Sequence, residues 1–519
     1  MRNTKSVALA VAAVLAVTTQ LAHAQTFAVV HDFTTADSYQ PEQGGLIQAT
    51  NGDLYGTTQY GGVNGEGSVF KMTPGGTLTT LYNFCPPGSE GNCVDAFQPG
   101  PLTLGANGKI YGTTIGGGGE SVGLVFEMTP AGAMTVLTAF CGLAPDGDNA
   151  CGANPVGALV QGTNGAFYGV TAAGGVLGQG VAFAITNAGS FYNIHGFACI
   201  EFTCNNPDSL VTGLIQGTDG NFYGTTEEGG TGAFGGGNGG GQYGGSVFKL
   251  TPKGALTTLY SFCSLADCTD GQSPTGVLVQ GADGNFYGTT KFGGLGSQCY
   301  NGSPGIEGCG TVFQITPEGT FTTLHNFCTQ SGCPDGQNPV AGLIQATDGN
   351  FYGTTYNGGG SPSSNCSDNP CGTIFQITSS GALTTLVSLC DNKLAKGCVS
   401  GGGPVAPLVQ HTNGDFYGTT TFGGNQTSFN GTVFWLSTGL SPFVKTVPTS
   451  GLAGAEVLIL GNDLTGATSV TFNGTPATFT VKSSTYITAT VPAGATSGQV
   501  QVITPAATLT SNLPYVVEP

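Results

Sequence analysis

Sixteen cysteines and a small set of histidines, acids and glutamines are the residues of this chain that could do chemistry, and their spacing decides which chemistry. The cysteines fall into eight neighbouring pairs: Cys85/Cys93, Cys141/Cys151, Cys199/Cys204, Cys263/Cys268, Cys299/Cys309, Cys328/Cys333, Cys366/Cys371 and Cys390/Cys398. An even count of closely paired cysteines reads as local disulfides, each closing a small loop worth about 2 kcal/mol in the chain-entropy model. Such bonds staple linkers and do not clamp a fold. Zinc is the rival use, but along the sequence no pair has a second pair or histidines at ligand spacing, so no metal is assigned.

The remaining groups converge no better. His31, His195 and His325 occupy one repeated position, where Tyr82 and Tyr260 stand in other copies, and His411 stands alone. Asp146, Asp148, Asp270 and Asp335 sit in linkers beside glycines and read as turn formers. Oxygen-rich loops of this kind suit calcium, so calcium is the one cofactor left open, and no other is implied. Gln48, Gln161, Gln216, Gln280, Gln345 and Gln410 share another repeated position, with Leu104 in the remaining copy. An amide has no useful pKa for acid–base work, so these read as a hydrogen-bonding device or a channel lining. The glycine runs Gly116–Gly119 and Gly235–Gly241 lack the lysine and following helix of a phosphate loop. No catalytic residue is assigned.

These residues recur because the chain does. Tyr55, Tyr111, Tyr168, Tyr223, Tyr287, Tyr352 and Tyr417 stand 55 to 65 residues apart, each followed by a Gly-Gly pair and then by a strand centred on Phe70, Phe126, Phe183, Phe248, Phe313, Phe375 or Phe434. Seven copies at that period mean an array of one supersecondary unit. The sixth copy resolves into four strands: GLIQAT (342–347), FYGTT, GTIFQIT and ALTTLVSL. Asp348-Gly349 reads as a two-residue type I′ turn between the first two. One such sheet cannot bury its apolar face, but seven arranged radially can. The chain is therefore predicted to be all-β, with a seven-bladed β-propeller. The seventh copy lacks its fourth strand, and Phe27–Phe33 aligns with the fourth strands of the others, so the N-terminal strand is predicted to close the ring. Strand direction places the loops between second and third strands on one face, with the linkers between blades; the tight turns lie on the other. The long loops 231–245 and 295–310 put Phe234, Tyr243 and Tyr300 on the first face, where they are the candidate ligand-binding platform.

Composition supplies the address. The chain has 519 residues, 91 of them glycine, and only 8% are charged. A formal net charge of −18 leaves no basic footprint for nucleic acid or anionic lipid. Arg2 and Lys5, the apolar run Val7–Val17 and the small-x-small triplet Ala22-His23-Ala24 make residues 1–24 a signal peptide. That run is about half of the ~20 residues a membrane helix needs, so no membrane span is expected. The protein is predicted to be secreted (extracellular, cell-surface or periplasmic) and monomeric. Residues 25–438 are assigned to the propeller. Beyond them the repeats stop and short alternating strands (EVLILG, SVTFNG, ATFTV, YITATV, GQVQVIT) predict an immunoglobulin-like β-sandwich over 439–519.

The repeat G-L-I-Q-x-x-D-G-N-F-Y-G-T-T-x-x-G-G…G-T-V-F-x-[IL]-T-P-x-G resembles the GloVer tandem repeat of exported bacterial proteins, also called choice-of-anchor repeats, over about residues 27–437. The third copy departs most, with Val170 for the first threonine. The tail resembles an IPT/TIG domain through Gly451-x-x-Gly454, Gly461-Asn462-x-Leu464, Val470-x-Phe472-x-Gly474 and Val491-Pro492-Ala493-Gly494. The first resemblance implies export and architecture; the second implies a spacer or carbohydrate-associated module. Together they favour a non-enzymatic binding or interaction protein of the cell envelope or extracellular space, with an extracellular glycan or an envelope protein as partner. A carbohydrate-active lyase or hydrolase on the same scaffold, and a structural envelope spacer, stay open.

Overall fold

The computed structural model describes residues 25–34, 41, 45–85, 96–118, 121–141, 152–175, 178–197, 213–231, 233–234, 242–296, 299, 308–359, 371–390, 398–424 and 430–518. Among them the chain is all-β, with one 3-10 turn at Ala266–Cys268 and no helix long and apolar enough to cross a membrane.

Each repeat gives a four-stranded antiparallel sheet. The first holds Ile47–Gln48, Leu54–Thr58, Ser68–Met72 and Leu78–Asn83, and the sixth Ile344–Gln345, Phe351–Thr355, Thr373–Ile377 and Leu383–Ser388. The seventh combines Val409–Gln410, Phe416–Thr420 and Thr432–Ser437 with Thr26–Asp32 from the other end of the chain, in a register that sets Phe27 opposite Leu436 and His31 opposite Val433. The residue after each fourth strand also repeats its backbone bond. Phe84, Phe140, Phe197, Phe262, Phe327 and Leu389 donate their amides to Gly67, Gly123, Gly180, Gly245, Gly310 and Gly372, and Phe33 donates to Gly431 at 3.1 Å.

The second strands explain the F-Y-G-T-T signature residue by residue. Leu54–Thr58 and its counterparts in the fourth to seventh sheets are buried along their whole length, flanked on both faces by neighbouring sheets. Tyrosine reaches the next sheet's phenylalanine: Tyr111 packs on Phe167 with centroids 3.9 Å apart, Tyr168 on Phe222 at 4.1 Å, Tyr223 on Phe286 at 3.9 Å, Tyr287 on Phe351 at 4.0 Å and Tyr352 on Phe416 at 4.3 Å. The glycine lies under the phenylalanine of the third strand, where a Cβ on Gly56 would fall 2.6 Å from Phe70 Cζ and one on Gly288 2.5 Å from Phe313 Cζ. The hydroxyl of the second buried threonine pairs across the ladder, as in Thr290 with Thr311 at 2.8 Å and Thr355 with Thr373 at 2.9 Å, whereas the first-threonine hydroxyls of Thr113 and Thr354 are buried without a hydrogen-bond partner.

The glutamines tie sheet to sheet. The Oε1 of Gln161, Gln216, Gln280, Gln345 and Gln410 accepts the amides of Ala106, Thr163, Thr218, Ala282 and Thr347 in the preceding sheet, at 2.8–3.2 Å. Gln48 makes the same bond to Thr412, joining the first sheet to the seventh at 3.0 Å. His411, 2% exposed, spans that junction as well: its Nε2 donates to Gly52 O at 2.9 Å while Nδ1 accepts from Asn413 N. These amides are inter-sheet staples and no catalytic group.

Two local expectations fail. Only glycine has positive φ in the Asp-Gly turn (Gly349, +80°), and Ala346 exchanges backbone bonds with Gly349 and Asn350. This is a type I turn closed by a left-handed glycine, not type I′. Aspartate is favoured there because its Oδ1 accepts Asn350 N and its Oδ2 accepts the Tyr352 hydroxyl. The first strands of the first and the fourth to seventh sheets are also short, two residues in the sixth sheet against the six predicted, while Phe97–Leu104 and Ala153–Gln161 in the second and third sheets are longer. In the sixth sheet the leading half leaves the ladder, and Gly342 there packs against the Val277 carbonyl of the neighbouring sheet, where a Cβ would come within 2.5 Å.

The C-terminal segment forms two four-stranded sheets. One contains Lys445–Val447, Glu456–Leu460, Tyr486–Thr490 and Phe479–Val481, and the other Thr475–Pro476, Ser469–Phe472, Val500–Ile503 and Thr508–Thr510. Val457, Ile459, Val470, Phe472, Ile487 and Tyr515 are among the residues of their shared core. This unit docks on the tight-turn face. Leu460 is buried in a cluster with Ala49, Tyr55, Leu104 and Ile110, with Val447 and Tyr486 packed alongside. Thr485 Oγ1 donates to Thr50 O at 2.6 Å, and Asn462 Nδ2 to Thr412 Oγ1 at 2.9 Å.

Candidate functional site

The leading halves of the first strands surround a cavity of about 640 Å³ whose lining is drawn from all seven sheets. Most of its wall is apolar: Leu46, Leu102, Val277, Val340 and Leu408. Glycine lets neighbouring backbones close up around the mouth, since a Cβ on Gly276 would fall 2.7 Å from Ala341 O.

Apart from Thr275, the polar side chains come from one position, the residue after the second threonine of each second strand. Across the seven copies it is Gln59, Ile115, Ala172, Glu227, Lys291, Tyr356 and Thr421. Glu227, Lys291, Tyr356 and Thr421 line the cavity, and the first three stand on the fourth, fifth and sixth sheets. An acid, a cation and a phenol thus share one arc of a mostly apolar lining. Burial pushes the Glu227 carboxyl up, the charge of Lys291 draws it back, and Glu228 adds to the rise. Linker backbone fixes the arc. Lys291 N donates to Ser273 O, Asn338 Nδ2 to Lys291 O and Tyr356 N to Asn338 O, each at 3.0 Å. The Lys291 ammonium also lies 5.0 Å from the centroid of the Phe292 ring.

The linker acids have structural work. Asp270 Oδ2 accepts the Tyr260 hydroxyl at 2.8 Å and Ser264 N at 2.9 Å; Asp335 Oδ2 pairs with His325 Nε2 at 2.9 Å and its Oδ1 accepts Cys328 N at 3.1 Å. Tyrosine and histidine therefore interchange at that repeat position because either can pin the next linker's carboxylate. His195 turns the other way, its Nδ1 3.0 Å from Gly254 O. Asp146 and Asp148 lie outside the described residues.

Cys263–Cys268, Cys299–Cys309, Cys328–Cys333 and Cys390–Cys398 are bonded, and Cys85, Cys141 and Cys371 are also in disulfides. Cys93, Cys151, Cys199, Cys204 and Cys366 lie outside the described residues. The disulfide expected between Cys199 and Cys204 therefore has neither of its ends among them. The sequence reading that no pair has a second pair beside it is corrected here. The four sulfurs of Cys299, Cys309, Cys328 and Cys333 lie within 4.8 Å of one another, although one pair precedes the third strand of the fifth sheet and the other follows its fourth.

The proposed aromatic platform is not placed. The backbone of Ala233–Phe234 pairs with Gln242–Tyr243 in a short hairpin that follows Glu227 in the chain. The side chains of Phe234 and Tyr243, and all of Tyr300, lie outside the described residues. Sequence reasoning passed over Glu227, Lys291 and Tyr356, although a signal existed. Theirs is a position that varies in every copy, directly after a motif that hardly varies at all.

Solved structures of similar fold include a protein of unknown function from Bacteroides thetaiotaomicron (13% identity, TM-score 0.39, covering 80% of this chain and 76% of that one). A PQQ-bound aldose sugar dehydrogenase from Streptomyces coelicolor is another (10%, 0.35, 80% and 98%). A third is an α-L-arabinanase from Penicillium chrysogenum complexed with arabinobiose (10%, 0.38, 80% and 98%). No curated protein matches the chain significantly. The family model of the Gloeobacter/Verrucomicrobia repeat matches residues 16–151, 144–294 and 238–478, and that of the IPT/TIG domain matches 440–517. The chain belongs to the Gloeobacter/Verrucomicrobia repeat family and carries an IPT/TIG domain behind its repeats.

Proposed function

We propose that the seven sheets close into a seven-bladed propeller and that the protein is an exported binder whose ligand enters the axial cavity from the loop face. Closure is supported by the N-terminal strand in the seventh sheet and by the Gln48–Thr412 and His411–Gly52 bonds between first and last sheets. The observation that carries the binding role is the cavity itself, about 640 Å³ with apolar walls and one arc of Glu227, Lys291 and Tyr356. That is the usual composition of a small-ligand site: apolar surface for contact and a few convergent polar groups for orientation. A sugar matches it, with C–H faces against the wall and hydroxyls toward the arc, so the ligand is the end of an extracellular glycan. Phe234, Tyr243 and Tyr300, on the long loops that the sequence assigns to that face, would extend the contact to further units. Binding is favoured over hydrolysis because hydrolysis canonically uses two carboxyl groups across the bond, and the described lining offers Glu227 as its one carboxylate.

The test is a glycan-array and polysaccharide-degradation screen, followed by titration of each hit against Glu227→Gln, Lys291→Met and Tyr356→Phe. Each substitution should weaken binding roughly tenfold, about one charge-assisted hydrogen bond, without changing the melting temperature. Affinity that survives all three would move the site off the axis. Chain cleavage by the wild type, abolished by Glu227→Gln, would make the protein an enzyme.

A further inference from the structure

We propose that Cys299, Cys309, Cys328 and Cys333 form one site with two alternative fillings: two disulfides or, when all four are thiols, a single zinc-class divalent cation held by four thiolates. Among the described residues this is the one group of three or more potential ligands close enough to share an ion. Zinc–sulfur bonds of about 2.3 Å require sulfurs roughly 3.8 Å apart at the corners of a tetrahedron. All four already lie within 4.8 Å of one another, so opening both bridges and drawing the pairs together asks for movements of about 1 Å per side chain.

The surroundings are those of a closed structural site. Cys309 and Cys328 are fully buried, Cys333 is nearly so, and Cys299 is half-buried at the surface, the one point of entry among the four. Val312, Phe327 and Phe375 pack the sulfurs from behind. The Gln337 amide reaches two of them, its Oε1 2.8 Å from Cys299 Sγ and 3.3 Å from Cys333 Sγ. Turned over, the same amide presents N–H groups to thiolates, the outer contact that metal-bound sulfur prefers. The bridges Cys263–Cys268 and Cys390–Cys398 have no second pair near them among the described residues and serve as internal controls.

The two fillings exclude each other and the balance is explicit. A phosphine reductant opens each bridge, supplying two electrons and leaving as its oxide with an oxygen from water. The two protons of that same water go to the sulfurs of the bridge, giving two thiols. The four thiols then release four protons as the divalent cation binds. The newly made chain, before any oxidation, carries the same four thiols and would hold the metal until the bridges form.

The experiment reduces the full folded protein with a phosphine, adds cobalt(II) as a spectroscopic stand-in for zinc, and removes loose metal by gel filtration. One equivalent of metal with the thiolate charge-transfer and tetrahedral d–d bands is expected. Retention should fall about tenfold or more in Cys299→Ser and stay unchanged in the double variant Cys263→Ser/Cys268→Ser. As a second readout, zinc should shield Cys299, Cys309, Cys328 and Cys333 from alkylation together, while Cys263 and Cys268 react freely. Independent alkylation of the two pairs in the presence of zinc would overturn the proposal. So would metal retention unaffected by Cys299→Ser, or a reduced protein whose lost near-UV signal zinc does not restore.

Discussion

Phe33 tests whether the two ends of the repeat array truly meet. It follows the N-terminal strand, is 1% exposed, and packs among Leu46, Leu54, Phe70 and Met72 of the first sheet and Val409, Tyr417 and Val433 of the seventh. Its ring lies edge-on to Phe70 with centroids 5.6 Å apart. Truncating a buried phenylalanine costs about 3–5 kcal/mol through lost transfer energy and the cavity left behind. At about 2.1 cal/mol/K per residue, some 400 cooperative residues give an unfolding entropy near 0.8 kcal/mol/K, so Phe33→Ala should lower the melting temperature by roughly 4–6 °C. Phe327→Ala, at the same repeat position inside the array, supplies the yardstick, and calorimetry on both variants gives the comparison. Equal drops mean that the junction between first and seventh sheets is packed like any other. A drop below about 1 °C for Phe33→Ala beside a full drop for Phe327→Ala would refute the N-terminal strand as a load-carrying member of the seventh sheet.

Gly288→Ala should cost about 1–3 kcal/mol by overpacking, since its Cβ would meet Phe313 Cζ at 2.5 Å; adding Phe313→Leu should recover part of the loss, measured by denaturant melts. Leu460→Ala should cost about 2–5 kcal/mol and make the segment joining the repeats to the IPT/TIG domain a preferred site of limited proteolysis. Burial alone would raise the Asp219 carboxyl, but Lys249, Asn221 and Tyr223 together hold it down at about 2. The stability it contributes is therefore present above the ordinary carboxylate range and is lost as pH falls toward about 2, so Asp219→Asn should flatten that part of an acid melt. The effect should be small, because the side chain is 37% exposed.

The strands were legible because period-2 alternation and Gly-Pro punctuation repeat seven times, and the N-terminal supplement because a copy was visibly missing a strand. The roles of individual residues were legible only where chemistry alone decides them. Gln280 could be rejected as an acid or base from its type, but its amide partner Thr218 sits 62 residues away in the preceding sheet, beyond any pattern within one repeat. The Glu227, Lys291 and Tyr356 arc was not legible from the repeat because it consists of what the copies do not share. The meeting of Cys299/Cys309 with Cys328/Cys333 brings together pairs from opposite ends of a hairpin, which no spacing rule encodes. Docking of the C-terminal unit centres on Leu460, flanked by Val447 and Tyr486, in strands already apolar enough to fill their own sandwich.

Leu460 reaches a particular seam. Five neighbouring pairs of sheets are stitched by a tyrosine stacked on the next sheet's phenylalanine and by a glutamine staple. Between the first and second sheets the stack is lost, because Ile110 stands where phenylalanine would be, and the staple is lost, because Leu104 replaces glutamine. The Tyr55 hydroxyl to Pro130 O and Thr57 Oγ1 to Gly100 O remain there. Into that thinner joint the C-terminal unit inserts Leu460, Val447 and Tyr486, with Thr485 bonded to Thr50 above it. A circular wall fails at its weakest course, so the appended domain is a buttress placed against the joint that needs one. Its removal should loosen the contact between the first and second sheets at Ile110, away from the polar arc, and leave the five tyrosine-stacked joints standing.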